Sequence, residues 1–276
     1  MSMKGYPMNE KTKIKLTPEQ ETLLITLYAK AQPGNPLFFD PQAQGILNRV
    51  DYDFTRLRVP YKTVILVCQR AKKLDAVTRD FLSEHPNGVV LHLGCGLDSR
   101  FWRVDNGQVD WYDLDMRPVI ELRQRFYPAS ERYHLIASSV TDLDWMEMVE
   151  AADRPVLVVA EGLLMYLGEV EVRRLLLRLQ KAFPNCRLIA DVFSRMTARA
   201  ATQHPSLKQT GAAIGWGIDD PREIEAWSPD IALLEEWFFT QDPDLDHLSP
   251  GYRFAYRLAG AFNMVRRAHR IVYYQL

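Results

Sequence analysis

Two short stretches of the chain hold residues spaced for chemistry. Val89 to Arg100 reads Val-Val-Leu-His-Leu-Gly-Cys-Gly-Leu-Asp-Ser-Arg, an apolar run that enters a glycine turn. Glycines at Gly94 and Gly96 let a ligand approach the backbone closely. The next apolar run ends in Asp113-Leu114-Asp115, and Asp115 follows Gly94 by 21 positions, near the spacing of about 20 at which an acidic side chain meets a ribose. An ionised carboxylate accepts hydrogen bonds from two vicinal hydroxyls, so turn and acid together indicate a nucleoside site. Taken alone, the turn is also what a plain strand end looks like, and either aspartate would suit a solvated strand terminus.

The nucleoside could belong to a nicotinamide dinucleotide or to S-adenosylmethionine. A dinucleotide fingerprint needs a third glycine at position 99, where this chain has Ser99, so that reading weakens. No Lys-Ser or Lys-Thr pair follows the turn, which removes a Walker-type phosphate cradle. A cofactor without phosphate fits better, and S-adenosylmethionine has none. The six histidines, His85, His92, His134, His204, His247 and His269, show no HxxxH or HExxH spacing, so no metal centre is expected. No GxSxG elbow offers a hydrolase nucleophile. Cys95, between the glycines, is either a reactive thiol or simply a small residue at a tight turn.

These residues need a scaffold, and β-branched apolar runs alternating with helical or loop segments supply one from residue 89 onward. Seven strands are expected, over 89–94, 110–115, 133–140, 155–162, 186–193, 231–239 and 269–276. The first five read as parallel and the last two as a closing antiparallel pair, an α/β class. Helical periodicity covers 118–126, 145–152 and 170–182, the last with Leu175, Leu176 and Leu179 on one face. Upstream, three helices punctuated by Pro33, Gly34, Pro36 and Pro41 form an N-terminal helical cap over 1–88. Residues 196–230 have no clean period and read as a lid-like insertion between the fifth and sixth strands.

Composition bounds the partners. The 276 residues are 47% hydrophobic and 25% charged, with 34 Lys and Arg against 35 Asp and Glu, an ordinary globular balance. A net charge of −1 gives no electrostatic excess for a nucleic-acid backbone. Three widely spaced cysteines, Cys68, Cys95 and Cys186, make neither a disulfide framework nor a zinc site and suit a reducing cytoplasm. The absence of an apolar leader or of a run of about 18 apolar residues argues against secretion and membrane insertion.

The segments LHLGCGLDSRFWR, WYDLDMRPVIELR and VVAEGLLMYL, with QRAKKLD and ETLLITLYAKA upstream and DDPREIEAWSPDIALLEEW downstream, resemble the leucine carboxyl methyltransferase family. The bacterial polyketide O-methyltransferase branch is the nearest likeness. The resemblance implies a Rossmann-like methyltransferase sheet with an antiparallel last strand, and S-adenosylmethionine as cofactor. It also implies that Arg70 binds the methionine carboxylate, that Gly94 and Gly96 line the methionine and ribose, and that Asp115 binds the ribose hydroxyls. Glu161 is expected beside the adenine end or the transfer pocket, with Tyr166 nearby as a positioning group. Glu161 would equally serve as a helix N-terminal carboxylate, and Tyr166 as a packing residue. Ligands of open α/β sheets bind beyond the strands' carboxyl ends, so strands one, two and four would bring Gly94, Asp115 and Glu161 to one rim. Where many members carry Asp-Leu after strand three, this chain has Ser139-Val140. The Ser139 hydroxyl and the Val140 backbone would then hold adenine without the charge-assisted contact.

The expected reaction is methyl esterification of a carboxylate on a small, polyketide-like acceptor, by in-line transfer with no metal. Methylation of a protein C-terminus, or nucleoside binding without catalysis, are the alternatives. Tyr28, Phe38, Phe39, Trp216 and Trp227 are candidate acceptor walls, or packing between cap and sheet.

Overall fold

Alternation of apolar strand runs with helices builds a doubly wound sheet, seen here in a computed structural model that describes residues 12–13, 18–202 and 214–276. Two short strands, β1 (Thr12–Lys13) and β2 (Val50–Asp51), pair in parallel away from the main sheet. The main sheet holds β3 (Val89–Leu93), β4 (Asp110–Asp115), β5 (Tyr133–Ala137), β6 (Val156–Ala160), β7 (Cys186–Phe193), β8 (Ala232–Phe238) and β9 (His269–Gln275), in the order β5-β4-β3-β6-β7-β9-β8. Strands β3 to β7 run parallel, and β9 is antiparallel to both of its neighbours, β7 and β8. The chain leaves β3 toward β4 and β5, then returns to β6 on its other side. The switch in strand order therefore falls at β3, and its carboxyl end opens the crevice where such sheets bind ligands.

Every residue of β3 and β6 is buried, as expected of continuous apolar runs covered on both faces. One face packs Leu91, Val158 and Leu188 against Leu175, Leu176 and Leu179 of α6 (Glu169–Ala182), so the leucine stripe is core. On the opposite face Val90, Trp111, Val159 and Ile189 meet the N-terminal helices. Leu24 and Leu27 come from α1 (Pro18–Lys30), Ile46 from α2 (Pro41–Arg49), and Leu74 and Phe81 from α3 (Tyr61–Glu84). Helix α2 starts where Asp40 accepts from the Gln42 and Ala43 amides, with Pro41 in the first turn. Helix α4 (Arg100–Val104) follows the glycine turn, and α5 (Arg117–Arg123) follows β4.

Several boundaries differ from the sequence expectation. The third strand stops at Ala137 rather than Val140, because Ser139 turns its hydroxyl onto Thr141, 2.8 Å away, offering the backbone a local alternative to the ladder. The helix expected over 145–152 is a 3-10 segment, Leu143–Met148, that buries Trp145 and Met146. Within the insertion, α7 (Arg195–Thr202) and a 3-10 turn (Pro221–Trp227) flank residues 203–213, which lie outside the described residues. A helix at Pro250–Ala261 escaped the pattern reading because Phe254 and Leu258 face outward and none of its residues is buried. Among the described residues no helix is long and apolar enough to cross a membrane.

Candidate active site

A cavity of about 350 Å³ opens beyond the carboxyl ends of β3, β4 and β6, within the size range of small-molecule sites. Gly94 and Gly96 form its floor at φ of 64° and 52°, a left-handed backbone that glycine adopts without strain. Space there is also tight: a Cβ at Gly94 or at Gly96 would stand 3.0 Å from a methyl of Leu163 or Leu23 respectively. The Gly94 and Cys95 amides both donate to the Leu114 carbonyl, at 2.8 and 3.2 Å, which ties the turn to β4. Asp115 accepts from the Gly96 amide through Oδ2 and from the Met116 amide through Oδ1, each at 2.8 Å. Desolvation raises the Asp115 carboxyl above its ordinary range, opposed by those two amides.

The opposite wall is ionic. Arg70, from α3, donates Nε to Glu161 Oε1 at 3.1 Å and Nη1 to Asp191 Oδ2 at 2.9 Å. Asp191, at 0% exposure, also accepts from the Gly162 amide at 2.6 Å and pairs with His269 Nε2 at 2.8 Å. Glu161 is gripped again by Arg100, which donates Nε to Asp75 at 2.8 Å. Lys30, from α1, pairs with Asp98 at 2.9 Å, and Arg103 joins Asp98, Asp75 and Asp40 behind it. Burial pushes the Glu161 carboxyl up, but Arg70, Lys30 and Arg100 more than offset it and bring it down to about 2. For Asp191 burial is outweighed by Arg70 and His269, and for Asp98 by Arg103, Lys30 and Arg100, so both lie well below the usual carboxylate range. The phenol of Tyr166, also on the cavity wall, is pushed up by burial, partly offset by Arg70.

Six of the eight residues singled out in the sequence therefore line one cavity: Arg70, Gly94, Gly96, Asp115, Glu161 and Tyr166. Ser139 and Val140 do not line it; Ser139 sits just past the end of β5, and the Val140 side chain is in the core. The five candidate aromatic walls are also elsewhere. Trp216 is core and Trp227 packs on it, Tyr28 stacks on Phe54, and Phe38 lies under the Arg103 guanidinium. Phe39, 40% exposed, is absent from the cavity lining. The aromatic lining comes from Tyr166 and Phe193 instead. Lys30 and Asp191 escaped sequence reading, since nothing in their local pattern marks them. Asp113, which could have been a solvated strand end, is fully buried.

Cys95 is buried beneath the turn and its thiol is pushed well up by desolvation, as is that of Cys68, to about 12. All three cysteines are unpaired and buried, so a chromogenic disulfide reagent at pH 8 should titrate fewer than one thiol in the native protein and three after denaturation. Fast release of one equivalent from native protein would instead mark an activated thiol. Among the described residues no cluster of three His, Cys, Asp or Glu could hold a metal.

Comparison with known proteins identifies the family. The family model for leucine carboxyl methyltransferase matches residues 22–180. The chain is 41% identical over 266 residues to the tetracenomycin polyketide synthesis O-methyltransferase TcmP of Streptomyces glaucescens, covering 95% of this chain and 98% of that one. It is 33% identical to the S-adenosyl-L-methionine-dependent methyltransferase dpfgK of Gibberella zeae, covering 84% of this chain and 86% of the other. Among solved structures, a DUF574-family protein of Streptomyces avermitilis superposes with a TM-score of 0.61 at 11% identity, covering 94% of this chain and 99% of that one. A putative methyltransferase of Thermobifida fusca gives 0.56 at 18% identity, covering 92% and 93%, and both likenesses bear on the fold alone. With a glycine turn, Asp115 and Arg70 on one rim, the chain belongs to the leucine carboxyl methyltransferase family and is an S-adenosylmethionine-dependent methyltransferase.

Proposed function

We propose that the protein methylates a carboxylate oxygen of a small organic acid, using the cavity at the carboxyl end of β3. The donor set suits the cofactor: Asp115 for a ribose diol, Arg70 and Lys30 for an amino-acid carboxylate, and glycines that leave the turn open to close approach. When bound, the cofactor supplies a methyl group on a sulfonium, which needs no further activation. Ser139 and the Val140 backbone, just past the end of β5 and outside the lining of the cavity, would meet the adenine edge. Within residues 1–88 the helices α1, α2 and α3 act as a cap, and the described parts of the 196–230 insertion, 196–202 and 214–230, act as a lid, over a methyltransferase domain of 89–276.

The observation that carries the carboxylate reading is the state of Glu161. Held between Arg70 and Arg100 with its carboxyl down at about 2, it is ionised yet too weak a base to take a phenolic proton of pKa about 10. His92, also on the wall, is engaged with Asp113 at 3.0 Å, and Tyr166 keeps its own proton. A carboxylic acid is already ionised at neutral pH and asks only for alignment and exclusion of water. Tyr166 is then a positioning group at the cavity rim, and the leucine side chains Leu23, Leu97 and Leu163 supply an apolar wall. The name of the tetracenomycin relative supports a small-molecule acceptor, and three unpaired thiols fit the cytoplasm.

The test starts with calorimetry of S-adenosylhomocysteine on the native protein and Asp115→Ala. Binding should be saturable at one site and weaken at least tenfold in the variant, which is about 1.4 kcal/mol. A panel of aromatic carboxylic acids and matched phenols follows, scored by mass for methyl esters and ethers. Esters formed at a rate that stays flat from pH 6 to 9 are expected. Ethers formed at a rate that climbs with pH would overturn the carboxylate reading.

A further inference from the structure

Beneath the glycine turn, on the side away from the cavity, lies a charged group that none of the roles above uses. Arg123, the last residue of α5, has 0% exposure. Its Nη1 donates to the Gly96 carbonyl at 2.9 Å and its Nη2 to the Asp98 carbonyl at 2.6 Å. Its Nε donates to Asp113 Oδ2 at 2.8 Å, and the Tyr127 ring lies 4.8 Å from its Cζ. Asp113 is in turn fixed from three sides. Trp111 Nε1 donates to its Oδ1 at 2.8 Å, His92 Nδ1 stands 3.0 Å from that same oxygen, and the Tyr133 hydroxyl donates to Oδ2, the oxygen Arg123 also meets.

We propose that Arg123 is a positioning residue of the cofactor site, a clamp that holds the Gly94–Asp98 turn in its binding conformation from behind. The proposal rests on the reading that the cofactor sits on this turn. One planar fork reaching two carbonyls two residues apart fixes the orientation of the intervening peptides. With those carbonyls held below, the Gly96 amide is aimed at Asp115 and the Asp98 carboxylate at Lys30. The clamp thus couples the ribose-facing and carboxylate-facing ends of the cavity without touching a ligand. Trp111, His92 and Tyr133 keep Asp113, and through it the guanidinium, in one place. A lysine in the same position could still pair with Asp113, but one ammonium cannot reproduce the fork.

Arg123→Lys therefore separates charge pairing from clamping. Calorimetry with S-adenosylhomocysteine reads two quantities, the fraction of competent sites and the Kd of those sites. A merely structural role lowers the competent fraction and the melting temperature and leaves Kd unchanged. The clamp instead predicts a Kd at least tenfold weaker at near-full site occupancy. A folded variant whose Kd stays within twofold of the native value overturns the proposal. Should Arg123→Lys not fold, Tyr133→Phe removes one support of Asp113 without changing charge. It is expected to weaken Kd about threefold, and an unchanged Kd there counts equally against the clamp. If the native protein itself fails to bind, the cofactor reading falls, an outcome distinct from failure of the clamp alone.

Discussion

Arg70→Ala is expected to remove measurable S-adenosylhomocysteine binding and to lower stability by about 3–5 kcal/mol, the range for breaking a buried ion pair from one side. Both effects come from the same geometry. The Arg70 guanidinium is the shared partner of Glu161 and Asp191, whose side chains are 7% and 0% exposed. Without it Asp191 keeps only His269 and the Gly162 amide, and Glu161 keeps Arg100. On the cavity side the substitution removes the guanidinium proposed above to receive the ligand carboxylate. Arg70→Lys should recover part of the stability and little of the affinity, because an ammonium cannot bridge two carboxylates and a ligand in one plane. Denaturant unfolding and calorimetry on the two variants check this. An alanine variant as stable as the native protein would mean that the buried carboxylates are not charged as described.

Acid should destabilise the protein steeply, and Glu161 gives the sign and the window. Its carboxyl lies at about 2 in the folded protein against an ordinary 4.5. A depressed folded value means stabilisation that is fully present above the unfolded value and lost as pH falls from about 4.5 toward 2. At 1.36 kcal/mol per unit, that shift corresponds to about 3 kcal/mol. Asp98 and Asp191 are displaced in the same direction, so their losses fall in the same acid range. Asp115 has the opposite sign: its carboxyl is raised, chiefly by desolvation, so its contribution favours the fold at low pH. Unfolding free energies measured from pH 7 to pH 3 on native protein and Glu161→Gln check the assignment. The native slope should be the steeper, and equal slopes would remove Glu161 from the account.

The parts of the site that could be read in the sequence were those encoded by local pattern. Gly94, Gly96 and Asp115 lie at fixed offsets from strand ends, and a turn followed by an acid fixes where they go. Arg70 and Glu161 are separated by 91 positions, and only the family resemblance joined them. Lys30, Asp191 and Arg123 had no such signal. Each is a charged residue in an unremarkable stretch, and its role arises from partners that tertiary packing brings from other elements. The proposed aromatic walls show the reverse limit. Trp216 is buried, but on the sheet face that α6 covers and not between cap and sheet, and composition does not say which side of a layer a ring faces. The outward-facing helix at Pro250–Ala261 was illegible for the same reason, since its apolar residues do not mark a buried face.

The cations of the cavity arrive already matched with carboxylates of the chain's own: Lys30 with Asp98, and Arg70 with Glu161 and Asp191. The protein thus carries its counterions with it. A zwitterionic amino-acid end can exchange partners with such a wall, ammonium for guanidinium and carboxylate for carboxylate, with no net charge to accommodate. A polyphosphate tail cannot, because it brings anions alone to a surface whose positive charge is spoken for. The ion pairing of the wall is thus a second physical reason, beside the missing third glycine of the turn, for a cofactor that carries no phosphate.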